Sequence, residues 1–216
     1  MAITSYSTLR TAVAGSAGES WSHRGDVISS FDTFLALAEE EIYSGPPDGE
    51  GLRTRELETR STASLSTSSR FLALPDNFIE ARKARLEYSS VRFPLKFVTP
   101  AGLYENVLDT GRPCRVTVTS QYEFDITPDV AYTMEVQHYA KQTAISSSNT
   151  TNTVLTAYPS IYLHGVLSHL FQWALNDQRA DLHRNLFIKA IEKANREDRW
   201  GRLGPQPTME FMGEIV

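Results

Sequence analysis

The hydrophobic period of this chain changes three times along its length, and that fixes the order in which helices and strands can appear. From Val27 to Ser44 the apolar residues Phe31, Phe34, Leu35, Ala38 and Ile42 recur at three- and four-residue spacing. That spacing predicts a helix with one buried stripe. Asp26 stands where an N-cap is expected, and Gly45-Pro46-Pro47 ends the helix, because proline cannot continue the hydrogen-bond ladder. A shorter helix is expected over Tyr6 to Ala14. From about Ser61 to Lys141 the period falls to two. Tyr122, Phe124 and Ile126 alternate with Gln121, Glu123, Asp125 and Thr127. Tyr132, Met134 and Val136 repeat the pattern after Pro128-Asp129, and Val116 and Val118 precede it across Thr119-Ser120. This predicts a three-stranded antiparallel meander with one wet face. Thr99-Pro100-Ala101, followed by Leu103, Tyr104, Val107 and Leu108, predicts a short helix with proline at its first position.

From Lys141 to Asn152 the chain becomes a Ser/Thr/Asn tract, expected as a mobile polar loop. Helical patterning then returns. Ile161 to Leu175 is apolar nearly all round, as in a helix buried on several sides. Asn176-Asp177 breaks it and caps the next helix, in which Leu182, Leu186, Ile191 and Ala194 are expected to face inward. Gly201 and Gly204-Pro205 are expected to stop that helix. The predicted class is α+β. Residues 1–60 and 153–200 form a helical bundle, and residues 61–141 form an antiparallel β-rich insertion. Residues 142–152 form the polar loop and 201–216 an extended C-terminal arm.

At 216 residues the chain is long enough to bury a core without a disulfide or metal staple. Asp and Glu number 26 against 21 Lys and Arg, a net charge of −5, which argues against a dedicated duplex-DNA binder. Cys114 is the single cysteine, which excludes an intramolecular disulfide framework. The first 17 residues include Arg10 and hold no continuous apolar run, so no signal peptide is expected. Nothing approaches the roughly 18 apolar residues of a spanning helix. A soluble protein made in a cytoplasm is expected.

The residue types of catalysis are present without their usual arrangements. The twelve glycines are scattered at turns, with no phosphate-cradling loop among them. His164 and His169 share a helix at a spacing that does not align them for a metal, and both read as buried structural residues. Cys114 has no histidine near it in sequence and is expected to be a packed thiol. Glu39-Glu40-Glu41 points in three directions and reads as a solvated helix end or part of an interface. Arg24-Gly25-Asp26 is explained by Asp26 as a cap. No catalytic residue, metal or cofactor is expected, and the chain is read as a non-enzyme.

Two segments carry more than a packing role. Leu52-Arg53-Thr54-Arg55-Glu56-Leu57-Glu58-Thr59-Arg60 alternates charge signs around two leucines. It cannot fill a core, and its cations are all arginine, the residue suited to bidentate interface pairs. Arg53, Arg55, Glu56, Glu58 and Arg60 are therefore expected at a contact between subunits, with Arg70 a further arginine downstream. The second segment is the C-terminal arm. Pro205 and Pro207 favour an extended chain, and Met209, Phe211, Met212 and Ile215 are too many large apolar groups for a solvated tail. Docking on another protein is expected.

The order of these blocks resembles the head-to-tail adaptor, or connector, proteins of tailed bacteriophages. A Tyr6-containing helix leads to Leu35-Ala36-Leu37-Ala38-Glu39, then to Leu52-Arg53-Thr54-Arg55-Glu56. Ala73-Leu74-Pro75-Asp76-Asn77-Phe78 looks like that family's entry into a strand, and Tyr139-Ala140-Lys141 closes the β region. Tyr158-Pro159, Tyr162-Leu163, Gly165 and Leu167 resemble its buried helix. The resemblance covers roughly residues 1–200. It implies a virion structural protein that forms a ring, usually of twelve copies, beneath the portal. The ring would extend the DNA channel without gripping the DNA and would dock a tail or nozzle protein, with the arm lying along the portal. The polar loop would face the lumen or the tail. Two readings stand beside it: another neck or tail-completion protein, such as a terminator, and a small hydrolase with a site assembled from distant residues.

Overall fold

The computed structural model describes residues 2–18, 25–103 and 110–203. The fold is α+β, as the alternation of periods predicts. Its contacts divide the chain into a helical unit, Met1–Arg55 with Ala144–Val216, and a sheet unit, Glu56–Thr143.

In the helical unit, α1 (Tyr6–Ala17) starts at a capping box. The Thr8 backbone N–H donates to Ser5 Oγ, and the Ser5 N–H donates to Thr8 Oγ1. Leu9, Val13 and Ala17, four residues apart, are buried, which carries the helix beyond Ala14. Helix α2 (Gly25–Ser44) buries the whole expected stripe of Phe31, Phe34, Leu35, Ala38 and Ile42. Asp26 lies inside its first turn rather than at the cap, accepting a hydrogen bond from the Val27 N–H, and there complements the helix dipole. After α2 the chain folds back so tightly that the Leu52 N–H donates to the Ile42 carbonyl at 2.8 Å. Gly45, at φ +95, and Gly51 make this possible: a Cβ on Gly51 would lie 2.6 Å from the Tyr43 carbonyl oxygen.

Asn152 caps the short α4 (Thr153–Ala157) by accepting from the Leu155 N–H, and Pro159 opens α5 (Pro159–Trp173). Helix α5 buries Ile161, Tyr162, Val166, Leu167, Leu170 and Phe171. Leu175, at φ +55, turns the chain, and Asn176 caps α6 through the Arg179 N–H. Helix α6 (Asp177–Leu203) passes through Gly201, so that glycine is no stop. Its inward residues also differ from expectation. Leu182 and Leu186 are 56% and 37% exposed, while Phe187, Ile191 and Ala194, with the polar Asn195 and Asp198, are buried. Gly165 lets these helices approach: a Cβ there would lie 3.1 Å from both Ala38 Cβ of α2 and the Phe187 ring of α6. The polar tract 141–152 has no helix or strand, but it is tied down. Ile145 is 4% exposed, and the Tyr6 N–H donates to the Thr150 carbonyl.

The sheet unit holds, among the described residues, strands β1 (Glu58–Ser64), β2 (Phe71–Leu72), β3 (Phe78–Tyr88), β4 (Val91–Phe97), β6 (Arg115–Val118), β7 (Tyr122–Phe124) and β9 (Thr133–Ala140). They form one sheet in the order β1-β9-β3-β4-β6-β7-β2. A separate short pair joins β5 (Thr110–Gly111) to β8 (Thr127–Pro128). The short helix α3 (Pro100–Leu103) begins at the expected proline, while the expected Tyr104, Val107 and Leu108 lie outside the described residues.

The predicted meander is correct in its first hairpin only. Strand β6 pairs antiparallel with β7, but β9 does not follow. It lies instead between β1 and β3. Pro128 cannot donate to a ladder, and Thr127–Pro128 leaves the hairpin to pair with Thr110–Gly111. Nor is the β7 face wet: Tyr122, Glu123 and Phe124 are all buried, with Glu123 held by Arg70 at 2.9 Å. Ser89 and Ser90, both at positive φ, make the two-residue turn between β3 and β4. The core of this unit is Leu86, Val116, Tyr122, Phe124, Met134 and Val136.

Candidate functional site

The expected interface segment is largely occupied by its own chain. Asn195 of α6 is 6% exposed and clips the backbone on both sides of Leu52. Its Oδ1 accepts from the Arg53 N–H at 2.7 Å, and its Nδ2 donates to the Gly51 carbonyl at 3.0 Å. One turn later Asp198 accepts from the Arg55 N–H at 3.1 Å and from Arg55 Nε at 2.9 Å, and also holds Arg202. Burial raises the Asp198 carboxyl, but hydrogen bonds from Arg55 and Arg202 outweigh it, and the group lies below its ordinary value. Arg53 Nη1 donates to the carbonyls of Tyr43 and Leu52 at 3.0 and 2.8 Å. These two arginines serve as internal ties.

The rest of the segment belongs to the sheet unit. Glu56 sits half-buried in a short 3-10 turn, Arg55–Leu57, and its carbonyl accepts from Gln142 Nε2. Glu58 opens β1, pairs with Arg82 and accepts from Gln137 Nε2 at 3.0 Å. Arg60 is exposed on β1, near Glu135. The charged run therefore continues as a polar edge strand, a form that resists unwanted strand addition. The arm residues Pro205, Pro207, Met209, Phe211, Met212 and Ile215 lie outside the described residues.

Sequence reasoning missed the role of the three glutamates. Glu39 is buried, accepting from the Ile145 N–H at 2.9 Å and from the Tyr162 hydroxyl at 3.1 Å. Burial raises its pKa, partly offset by those two bonds. The Tyr162 hydroxyl is also reached by Asn152 Nδ2 at 2.8 Å, and burial pushes its pKa far upward. This network locks the polar loop to α2 and α5. Glu41 lies 3.6 Å from His169 Nε2 and 3.4 Å from Arg184 Nη2. Burial raises its carboxyl, and the His169 and Arg184 side chains beside it bring it below the ordinary value. Only Glu40 is solvated.

Beside Glu41 opens a cavity of about 660 Å³, edged by Asp48, Asp177, Asp181 and Arg184. Glu41, Asp48, Asp177 and Asp181 thus share its lining with Arg184. A second, apolar groove of about 360 Å³ in the sheet unit lies among Phe78, Phe97, Val98 and Val118. Histidines 164 and 183 face each other between α5 and α6, with their Nδ1 atoms 3.1 Å apart and the His183 ring stacked on Phe171. One donates and the other accepts; burial lowers both pKa values, more than any other influence. Cys114 is exposed rather than packed, its thiol directed at the Arg112 carbonyl. Among the described residues no three His, Cys, Asp or Glu side chains are grouped to hold a metal, and no helix is long and apolar enough to cross a membrane.

Among the described residues, these features are anchors, networks and charged surfaces. No curated protein matches the chain. The family model described as SU10 adaptor protein matches residues 4–208, from the cap of α1 to beyond the end of α6. With nearly its whole length matched, the chain belongs to the SU10 adaptor protein family.

Proposed function

We propose that the protein is the head-to-tail adaptor of a tailed phage, a structural component of the virion neck. The observation that carries this reading is the family match over residues 4–208. The protein is made in the host bacterial cytoplasm and assembles as a ring of twelve copies on the portal, where closed symmetry satisfies identical interfaces. The ring extends the DNA channel and offers a surface to the tail or nozzle protein. It is not an enzyme and needs no cofactor. The segment residues Arg53, Arg55, Glu56, Glu58 and the exposed Arg60 lie at the contact between subunits. The residues Pro205, Pro207, Met209, Phe211, Met212 and Ile215 carry the arm onto the portal. The net charge of −5 suits a channel that lets DNA pass without holding phosphates.

Mixing the purified protein with portal and weighing the complexes by native mass spectrometry tests this. The expected result is one discrete complex whose copy number matches the portal. Truncation before Gly204 is expected to abolish portal binding while leaving the thermal stability of the chain unchanged. Duplex DNA is expected to bind no tighter than about 1 µM, in the range of non-specific contact. A protein that ignores portal, or that binds duplex DNA tightly and sequence-specifically, would refute the reading.

A further inference from the structure

The outward face of α6 carries a regular pattern of exposed residues. Leu182, Leu186, Lys189, Lys193, Arg196 and Trp200 follow one another at alternating four- and three-residue spacing, and all six are exposed. That spacing draws a single seam along a helix, here about 27 Å long at 1.5 Å per residue. The seam lies opposite the buried Phe187, Ile191, Ala194 and Asp198. It contains no carboxylate; Glu192 and Glu197 fall to its two sides. Its apolar ends are conspicuous, with Leu182 56% and Trp200 69% exposed. Three adjacent cations sit between them; among the described residues Lys193 has a carboxylate within ion-pair reach, Glu197 at 3.8 Å.

A chain of net charge −5 with this basic seam holds its excess acid elsewhere. The complementary surface in the same unit is the cavity edged by Glu41, Asp48, Asp177 and Asp181 against the single Arg184. It lies on a different side of α6, where Asp177, Ala180, Asp181 and Arg184 point, and the strongly exposed Leu175 stands two residues before Asp177. One face is basic with apolar ends. The other is acidic with an apolar neighbour. Two different faces that match each other form a heterologous contact, which closes into a ring when the rotation allows. Leucines and an exposed tryptophan suit a protein partner better than a phosphate backbone.

We propose that the α6 seam docks into the acid-edged cavity of a second copy of this chain, as a lateral contact of the ring additional to the Arg53–Arg60 segment. The proposal rests on the ring reading above and names its interface. The test uses full-length protein titrated onto portal, with copies per portal read by native mass spectrometry. Wild type is expected to fill the portal all at once, because lateral contacts make occupancy cooperative. The variant Lys189→Glu/Lys193→Glu/Arg196→Glu is expected to fill it in partial numbers, or only at roughly tenfold or more higher protein concentration, since like charges then meet across the contact. Adding Asp48→Lys and Asp181→Lys to that same chain is expected to restore cooperative filling. High salt should weaken the wild-type contact. Circular dichroism confirms that each surface variant is folded.

Cooperative filling by the seam variant overturns the proposal and leaves the ring standing. Failure of the combined variant, with each chain folded, removes the cavity as the partner and overturns it too. A wild type that never forms a ring overturns both readings. If the seam variant loses duplex-DNA binding with assembly unchanged, the face belongs to nucleic acid and the proposal falls.

Discussion

Replacing Asn195 with alanine tests whether the charged segment is held from within. Asn195 is 6% exposed, and its amide both accepts from the Arg53 N–H at 2.7 Å and donates to the Gly51 carbonyl at 3.0 Å. Alanine removes both partners at once and leaves a backbone donor and a backbone acceptor in a site with little water. Each such group costs about 1–3 kcal/mol when it loses its partner. Local relaxation reduces the sum, so the expected loss is roughly 2–4 kcal/mol. For a chain of this size that is a fall in Tm on the order of 5–15 °C. The assay is urea unfolding followed by tryptophan fluorescence. Of the three tryptophans, the described Trp173 and Trp200 both fall in the helical unit and report on it. Asn185→Ala on the exposed side of the same helix is the control, expected within about 0.5 kcal/mol of wild type. If Asn195→Ala unfolds like the control, the clip contributes nothing, and the segment is not held from within by Asn195.

Acid should weaken the helical unit through His164 and His183. Their folded pKa values lie below the ordinary 6.5, so the unfolded chain binds protons first and stability falls as pH drops below about 6.5; His183→Phe should flatten that slope in pH-dependent urea melts. Gly165→Ala places a Cβ 3.1 Å from Ala38 Cβ and the Phe187 ring. Overpacking of about 1–3 kcal/mol should exceed the roughly 1 kcal/mol gain in helix propensity, giving a net loss in chemical denaturation. Cys114 should react with a thiol reagent in the folded protein at one equivalent per chain, as read by intact mass, because the side chain is exposed.

The helices were legible because their stripes were apolar and local. Phe31, Phe34, Leu35, Ala38 and Ile42 lie within three turns, and each is buried. The sheet order was not legible, because it depends on pairings between distant strands. Strand β9 sits between β1 and β3, and β4 runs parallel to β6. Alternation in Tyr132, Met134 and Val136 says that a strand exists, not which neighbour it takes. A period-two pattern also carries no sign of a proline-directed exit such as Thr127–Pro128.

The misplaced residues share one physical cause: polar groups on the inward face. On α2, Glu39 stands between Leu35 and Ile42 at four- and three-residue spacing, so the stripe itself marked it as buried. Its position called for partners, and Ile145 and Tyr162 supply them. On α6 the stripe of Phe187, Ile191 and Ala194 continues into Asn195 and Asp198, which a count of apolar residues passes over. Leu182 and Leu186 were drawn inward by hydrophobicity alone, although the step from Leu186 to Ile191 is five residues and breaks the helical period. With Phe187 as the anchor the period is restored, and the two leucines turn outward beside Lys189 and Lys193. The same correction that places Asn195 and Asp198 against the Leu52–Arg55 segment therefore exposes the seam on the opposite side of α6. An inward face spent on holding a backbone, and an outward face supplied with leucine, lysine and tryptophan, are what a helix requires if it must both complete its own unit and meet another chain.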